Sequence, residues 1–241
     1  MDGGVLTLAA LWLALAIVTI GIGLAFPGMR ATDRVTRAAD TLFLALWIGV
    51  AALAWTSLAL ANVMPLRLAR PWILLAALFI ALVGLWRSRA LWRALRPRAW
   101  IAFVALAVIL AERSVAVGPL EDTGGYHWNI VQWYEGYGIP VGLALFQWRL
   151  ATHSAWLALT ALLDTALLEA RVTSVANGLL FLTCLWFAAV CALRWIRGCS
   201  TLADCIETER HLFIFDVISD MLILFTLAGA FQLIRWGRRH D

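Results

Sequence analysis

Long apolar runs, broken by short polar stretches rich in arginine, make up almost the whole chain. About 20 apolar residues cross a bilayer core as a helix. Seven runs approach that length, at about residues 4 to 26, 41 to 64, 71 to 86, 99 to 117, 154 to 170, 173 to 195 and 212 to 235. The pattern predicts an all-α fold, a polytopic transmembrane bundle of about seven helices. It is expected to form a single transmembrane domain over 1–241, with an N-terminal three-helix region at 1–98 and a core at 99–241. The first run has the length of a secretory signal but lacks a basic leading segment, with only glycines between Asp2 and Val5. It is therefore read as a retained transmembrane helix.

One stretch departs from this pattern. Residues 121–156 read EDTGGYHWNIVQWYEGYGIPVGLALFQWRLATHSAW, which is aromatic, acidic and histidine-bearing. Polar groups are costly inside a bilayer, so they gather at its surface or are kept for a task. Trp128, Ile130, Val131, Trp133 and Tyr134 recur at helical spacing while Asn129, Gln132 and Glu135 point elsewhere, which predicts a short amphipathic helix in the interface plane. Gly136, Gly138 and Pro140 end it. A second short interfacial helix is expected over 141–150, with Phe146 and Trp148 beside Gln147 and Arg149. The pair, in the 118–153 loop between the fourth and fifth runs, would roof one end of the bundle.

Arginine placement sets the expected orientation. Arg30, Arg34 and Arg37 follow the first run, Arg87, Arg89, Arg93, Arg96 and Arg98 follow the third, and Arg235, Arg238 and Arg239 close the chain. With seven helices all three groups fall on one side, which predicts a cytoplasmic C-terminus and an external N-terminus. The external side then receives Arg67 and Arg70, the 118–153 loop and the 198–211 loop.

Composition agrees with a membrane protein. The 241 residues are 63% hydrophobic, with a mean hydropathy of +0.85, more apolar matter than a soluble domain of this size can bury. There is no lysine, and the net charge is +4, so the basic pI reflects topology and not nucleic-acid binding. Most of the 14 tryptophans lie near run ends, where indoles anchor at headgroup level. Cys184 and Cys191 lie in an apolar run. Cys199 and Cys205 bracket a polar loop on the expected outer side, where two readings stand: a disulfide or two separate thiols.

Candidate chemistry centres on Glu121, Asp122, Tyr126 and His127. Two carboxylates, a glycine pair and an imidazole within seven residues suit binding of a divalent cation or acid–base work, although acidic residues beside a helix also serve as solvated topological markers. Glu112 with Arg113, Asp164, and the i, i+4 pair Asp216 and Asp220 are further carboxylates within or beside apolar runs. Asp216 and Asp220 share a helix face and would repel if both were ionised, so that pair needs a cation, a shared proton or an arginine. His127, His153 and His211 all lie in loops or at helix ends, unlike the histidines that hold haem between membrane helices. The sequence has no CxxCH, P-loop, GxSxG or HExxH motif.

The run Asp122-Thr123-Gly124-x-Tyr126-His127, followed by Trp133, Tyr137-Gly138, Gly142-Leu143, Arg149-Leu150 and Ser154-x-Trp156, resembles the signature of a family of bacterial polytopic proteins. That family is similar to the C-type glycosyltransferases, which use polyprenyl-phosphate-linked sugars. Asn177-Gly178-Leu179-Leu180 and Ser219-Asp220-Met221 extend the resemblance more loosely. It implies that 99–241 is a core fragment of such a fold in a bacterial inner membrane. In those enzymes an acidic residue of the first external loop acts as catalytic base or helps to hold a metal. The resemblance gives that role to Asp122, with Glu121 beside it and Asp220 as a second acidic candidate. Arg149 or His153 would meet the lipid phosphate, with Tyr126 in the same substrate site. The chain departs from the family in having Leu145, Gln147 and His153 where polar asparagine and histidine positions are expected. Its seven runs also fall short of the eleven or more helices usual for these enzymes.

Two functions are expected on these grounds. One is a glycosyltransferase of this type, truncated or degenerate, acting on a lipid-linked sugar at the outer membrane face. The other is a non-catalytic transmembrane subunit, its acidic loop an adhesive surface for other membrane proteins.

Overall fold

The structure is a computed structural model, and it describes residues 3–26, 35–89, 97–116, 127–139, 142, 154–164 and 172–196. Among the described residues it is all-helical. The helices are α1 (Gly3–Ala25), α2 (Val35–Ala61), α3 (Leu66–Arg87), α4 (Pro97–Ala116), α5 (Trp128–Gly136), α6 (Ala155–Leu162) and α7 (Val172–Ile196). The chain divides into two compact units, Met1–Phe187 and Ala188–Asp241. The described residues of the second are the last turns of α7, and the first holds all the other helices.

α1, α2 and α3 are long and apolar enough to cross a membrane. α1 is the central helix, packing against α2, α3 and α4. It is apolar on every side, and its buried stripe of Leu8, Trp12, Leu15 and Thr19 follows helical periodicity. Without a hydrophobic drive between helices in lipid, close packing of small residues must hold them together. α1 shows this twice. A Cβ on Gly49 of α2 would strike the Thr19 carbonyl, and one on Gly84 of α3 would strike the Gly21 carbonyl. Further along, Gly178 of α7 leaves the space that the indole of fully buried Trp12 fills.

α3 shows the lipid-facing complement. Ala69, Ile73, Ala77, Ala81 and Gly84 are buried, whereas Trp72, Phe79 and Trp86, seven residues apart, are 72%, 69% and 70% exposed. The two indoles sit about 21 Å apart along the axis, one near each end of α3, where tryptophan anchors at membrane interfaces. Hydroxyls inside the helices return to their own backbone: Thr19 donates to the Leu15 carbonyl at 2.8 Å and Ser57 to that of Leu53 at 2.7 Å. Rings join α7 to its neighbours, with Phe187 stacked on Phe43 of α2 and Trp186 edge-on to Phe103 of α4.

Three segments differ from expectation. α2 begins at Val35, six residues before the expected 41, and ends at Ala61, three before the expected 64. α3 begins at Leu66, five residues before the expected 71, with Pro71 inside it. A proline this near a helix start forfeits a single backbone hydrogen bond, and the extension brings Arg67 and Arg70 onto α3. The 154–170 run begins as α6, eight residues long, with Leu163 as its C-cap. At about 12 Å α6 is too short to cross a bilayer, and Asp164 lies beyond its end. The short helix expected around 128–135 is present as α5. The second one, over 141–150, and the last run lie outside the described residues.

Gly49→Val should therefore lower the melting temperature of the detergent-solubilised protein, because overpacking at a helix contact costs about 1–3 kcal/mol. Leu82→Val, on the exposed side of α3, should leave the melting temperature within the error of the native protein in the same thermal scan.

Candidate functional site

Of the residues expected in the catalytic and substrate site, His127 is described. It is the half-buried N-cap residue of α5, in helical conformation (φ −62°, ψ −44°), and makes no side-chain capping bond. Glu121, Asp122, Tyr126, Arg149, His153, Asp220, Cys199 and Cys205 lie outside the described residues, and with Asp122 the expected metal position. Among the described residues no group of three or more His, Cys, Asp or Glu is placed to hold a metal ion. Glu112 and Arg113 are exposed on α4.

What the structure does show is how the middle of the polar loop is mounted. α5 packs against α3 and α6 with Ile130, Val131 and Tyr134 buried, while Trp133 is more exposed. The helix stops where the glycines predicted it. Gly138 adopts φ +80°, a conformation that favours glycine. Its missing side chain lets the backbone come up to the α2–α3 connection, where a Cβ would lie 2.6 Å from the Ala61 carbonyl oxygen. Ile139 N–H then donates to that carbonyl at 2.8 Å. α5 thus sits at the end of the bundle where α2 stops and α3 starts.

The polar face of α5, which the sequence pattern turned away from the apolar one, meets a charge cluster. Arg70 Nη2 of α3 donates to Glu135 Oε1 at 2.7 Å and to the carbonyl of Ala161, near the C-terminus of α6, at 2.9 Å. Both side chains of the ion pair are about one-fifth exposed. Arg70 Nε is buried with no hydrogen-bond partner among the described residues. Gln132 Nε2 donates to Asp164 Oδ2 at 3.0 Å, and the Glu135 carboxyl group adjoins that of Asp164. Three elements distant in sequence therefore converge on one guanidinium and two carboxyl groups.

Two carboxylates on one cation leave a negative charge in a poorly solvated place. The cluster answers by holding a proton. Burial of Asp164, which is 8% exposed, and then the adjoining Glu135 carboxylate raise its pKa to about 6, against the opposing pull of Arg70 and the Gln132 amide. Asp164 lies in the turn after α6, outside the helices long enough to span a membrane. Nearby, burial raises the pKa of the Tyr134 phenol, offset in part by a hydrogen bond with the Ser154 backbone.

Several residues that carry the family resemblance turn out to have packing roles. Ser154 caps α6, its Oγ accepting from Leu157 N–H at 3.4 Å. Trp156 Nε1 donates to Asn177 Oδ1 at 2.7 Å, tying α6 to α7, and Gly178 admits Trp12. The Arg70–Glu135–Asp164–Gln132 cluster was not assembled from sequence. Its signal was present as an arginine and an aspartate in apolar surroundings, each needing a partner, and as a helix with Gln132 and Glu135 on one face.

The chain belongs to the family described as domain of unknown function (DUF8201), whose model matches residues 5–225. Comparison with curated proteins and with solved structures gives no match.

Asp164 contributes a pH dependence to stability. Its pKa is raised on folding, so its protonated form favours the native state. That stabilisation is complete below about pH 4 and is lost as the pH rises from there through 6. In thermal scans from pH 4 to 8, the native protein should lose on the order of 2 kcal/mol relative to Asp164→Asn as the pH rises through 6, with no further divergence above pH 7.

Proposed function

We propose that this DUF8201 member is a membrane-embedded transferase that works at the surface formed by its 118–153 loop, using a polyprenyl-phosphate-linked sugar as donor. The observation that carries the reading is the mounting of α5. The helix that follows the Asp122-Thr123-Gly124-x-Tyr126-His127 run is buried on one face, pinned by Arg70 through Glu135 and stopped against Ala61 at Gly138. A helix held in this way gives the run before it a fixed anchor, which suits catalysis because a reacting pair must be held close to its attack geometry.

In the proposed reaction Asp122 accepts the proton of an acceptor hydroxyl. The acceptor oxygen bonds to the anomeric carbon, the bond from that carbon to the phosphate oxygen breaks, and polyprenyl phosphate leaves. Arg149 and His153 are the candidates to receive the phosphate charge. Glu121, His127, Tyr126 and Asp220 are candidates for the same site, and a divalent cation at Asp122 would serve the same charge. On the arginines that follow α1 and α3 the loop faces outward, and on the family resemblance the membrane is a bacterial inner one.

The alternative, a non-catalytic subunit, draws on the outward face of α3. Its large exposed apolar side chains suit a neighbouring transmembrane helix as well as they suit lipid. Copurification of another membrane protein in fixed stoichiometry would favour it.

Protein reconstituted in liposomes should turn over a polyprenyl-phosphate sugar. Asp122→Asn should abolish turnover while leaving the melting temperature unchanged, and turnover that survives this substitution would remove Asp122 from the mechanism.

A further inference from the structure

We propose that Glu135 and Asp164 form a proton-operated latch: one proton shared by the two carboxyl groups clamps α5 to α3 and α6, and its loss loosens α5. The inference is independent of the reaction proposed above.

The geometry carries it in three steps. First, the latch joins elements that are far apart in sequence. Arg70 is on α3, Gln132 and Glu135 are on α5, and Asp164 follows α6. Second, the donors available fit a protonated cluster. Arg70 Nη2 serves Glu135 and the Ala161 carbonyl, and the Gln132 amide serves one oxygen of Asp164. The Asp164 and Glu135 carboxyl groups adjoin, and a carboxylic acid on Asp164 supplies the proton that lets one bond to the other. Third, among the described residues no other charge stands ready to replace that proton. α3 carries Arg67, Arg70 and Arg87, of which Arg70 is already engaged, Arg67 is exposed and Arg87 lies at the far end. α5 adds Tyr134 besides Glu135, with His127 at its start. α6 has no titratable residue, and neither does α2, which packs on α6, between Thr41 and Ala61.

When the proton leaves to water, two carboxylates face each other across a single guanidinium in a site of low dielectric. The buried side chains Ile130, Val131 and Tyr134 still hold α5, so the effect is a shift in how often α5 opens and not its detachment. Burial raises the pKa of Asp164 to about 6, which puts the changeover between the acidity of an acidic surrounding and neutrality. Acid exceeds carboxylate about tenfold at pH 5, and the ratio reverses to about one to ten at pH 7.

Hydrogen–deuterium exchange of the full-length protein in detergent micelles tests the latch, with amide rates corrected for the intrinsic effect of pH. In the native protein, the α5 amides should open about tenfold more often at pH 7.5 than at pH 5, with α1 amides unchanged. Asp164→Asn should be as protected as the native protein at pH 5, and equally protected at pH 7.5, because its carboxamide donates to Glu135 and accepts from Gln132 as the acid does. Three results overturn the latch: α5 exchange independent of pH in the native protein, the same rise with pH in Asp164→Asn, or protection of α5 lost in that variant at pH 5. A rise spread equally over α1 and α5 also contradicts it, since it would mean general loosening.

Discussion

An arginine set in the second turn of an apolar helix has to find a partner, and the way Arg70 does so determines how the polar side of this molecule is arranged. Leaving a guanidinium partly buried and unpaired is far costlier than pairing it. Glu135 supplies the charge, and the Ala161 carbonyl supplies a second acceptor from the end of α6, where helix carbonyls lack intrahelical donors. Two short helices are thereby drawn to the start of α3. Asp164 and Gln132 join as consequences of that arrangement, because each lies within a turn of a residue that Arg70 holds.

The long helices supply the frame on which this occurs. α1 touches α2 and α3 nearly backbone to backbone at Gly49 and Gly84, so the bundle gains dispersion contacts where a lipid solvent offers no hydrophobic drive. Small residues turned inward leave the large ones outward, as the exposed rings of Trp72, Phe79 and Trp86 show. The same frame sets the height of α5. Gly138 and Ile139 meet the end of α2 at Ala61, so α5 is fixed to both helices that bound the α2–α3 connection.

The long helices were largely legible in the sequence. The runs at 4 to 26, 99 to 117 and 173 to 195 match α1, α4 and α7 within two residues, because apolar runs bounded by arginine and proline carry that information locally. α5 was legible too, from its spacing and from Gly136 and Gly138. The start of α3 was not, since Pro71 looks like a first helical residue when it is tolerated inside the helix. α6 was not, because eight apolar residues followed by more apolar residues read as one run, and its end at Leu162 depends on tertiary contacts of Asp164 and Ala161. The charge cluster was least legible of all. Arg70 lies 65 residues from Glu135 and 91 from Ala161, and no periodicity reports a pairing over such separations. Its members were visible singly, as charges out of place.

If the Arg70–Glu135 contact docks α5, and through it the polar loop, onto the membrane bundle, the two side chains must be energetically coupled. A double-mutant cycle of Arg70→Ala and Glu135→Ala, followed by reversible unfolding in micelles at pH 5, measures that coupling. Each single substitution should be destabilising, the second should cost little once the first is made, and the coupling energy should be about 1–3 kcal/mol. Additive effects, with coupling indistinguishable from zero, would contradict the docking role of this contact.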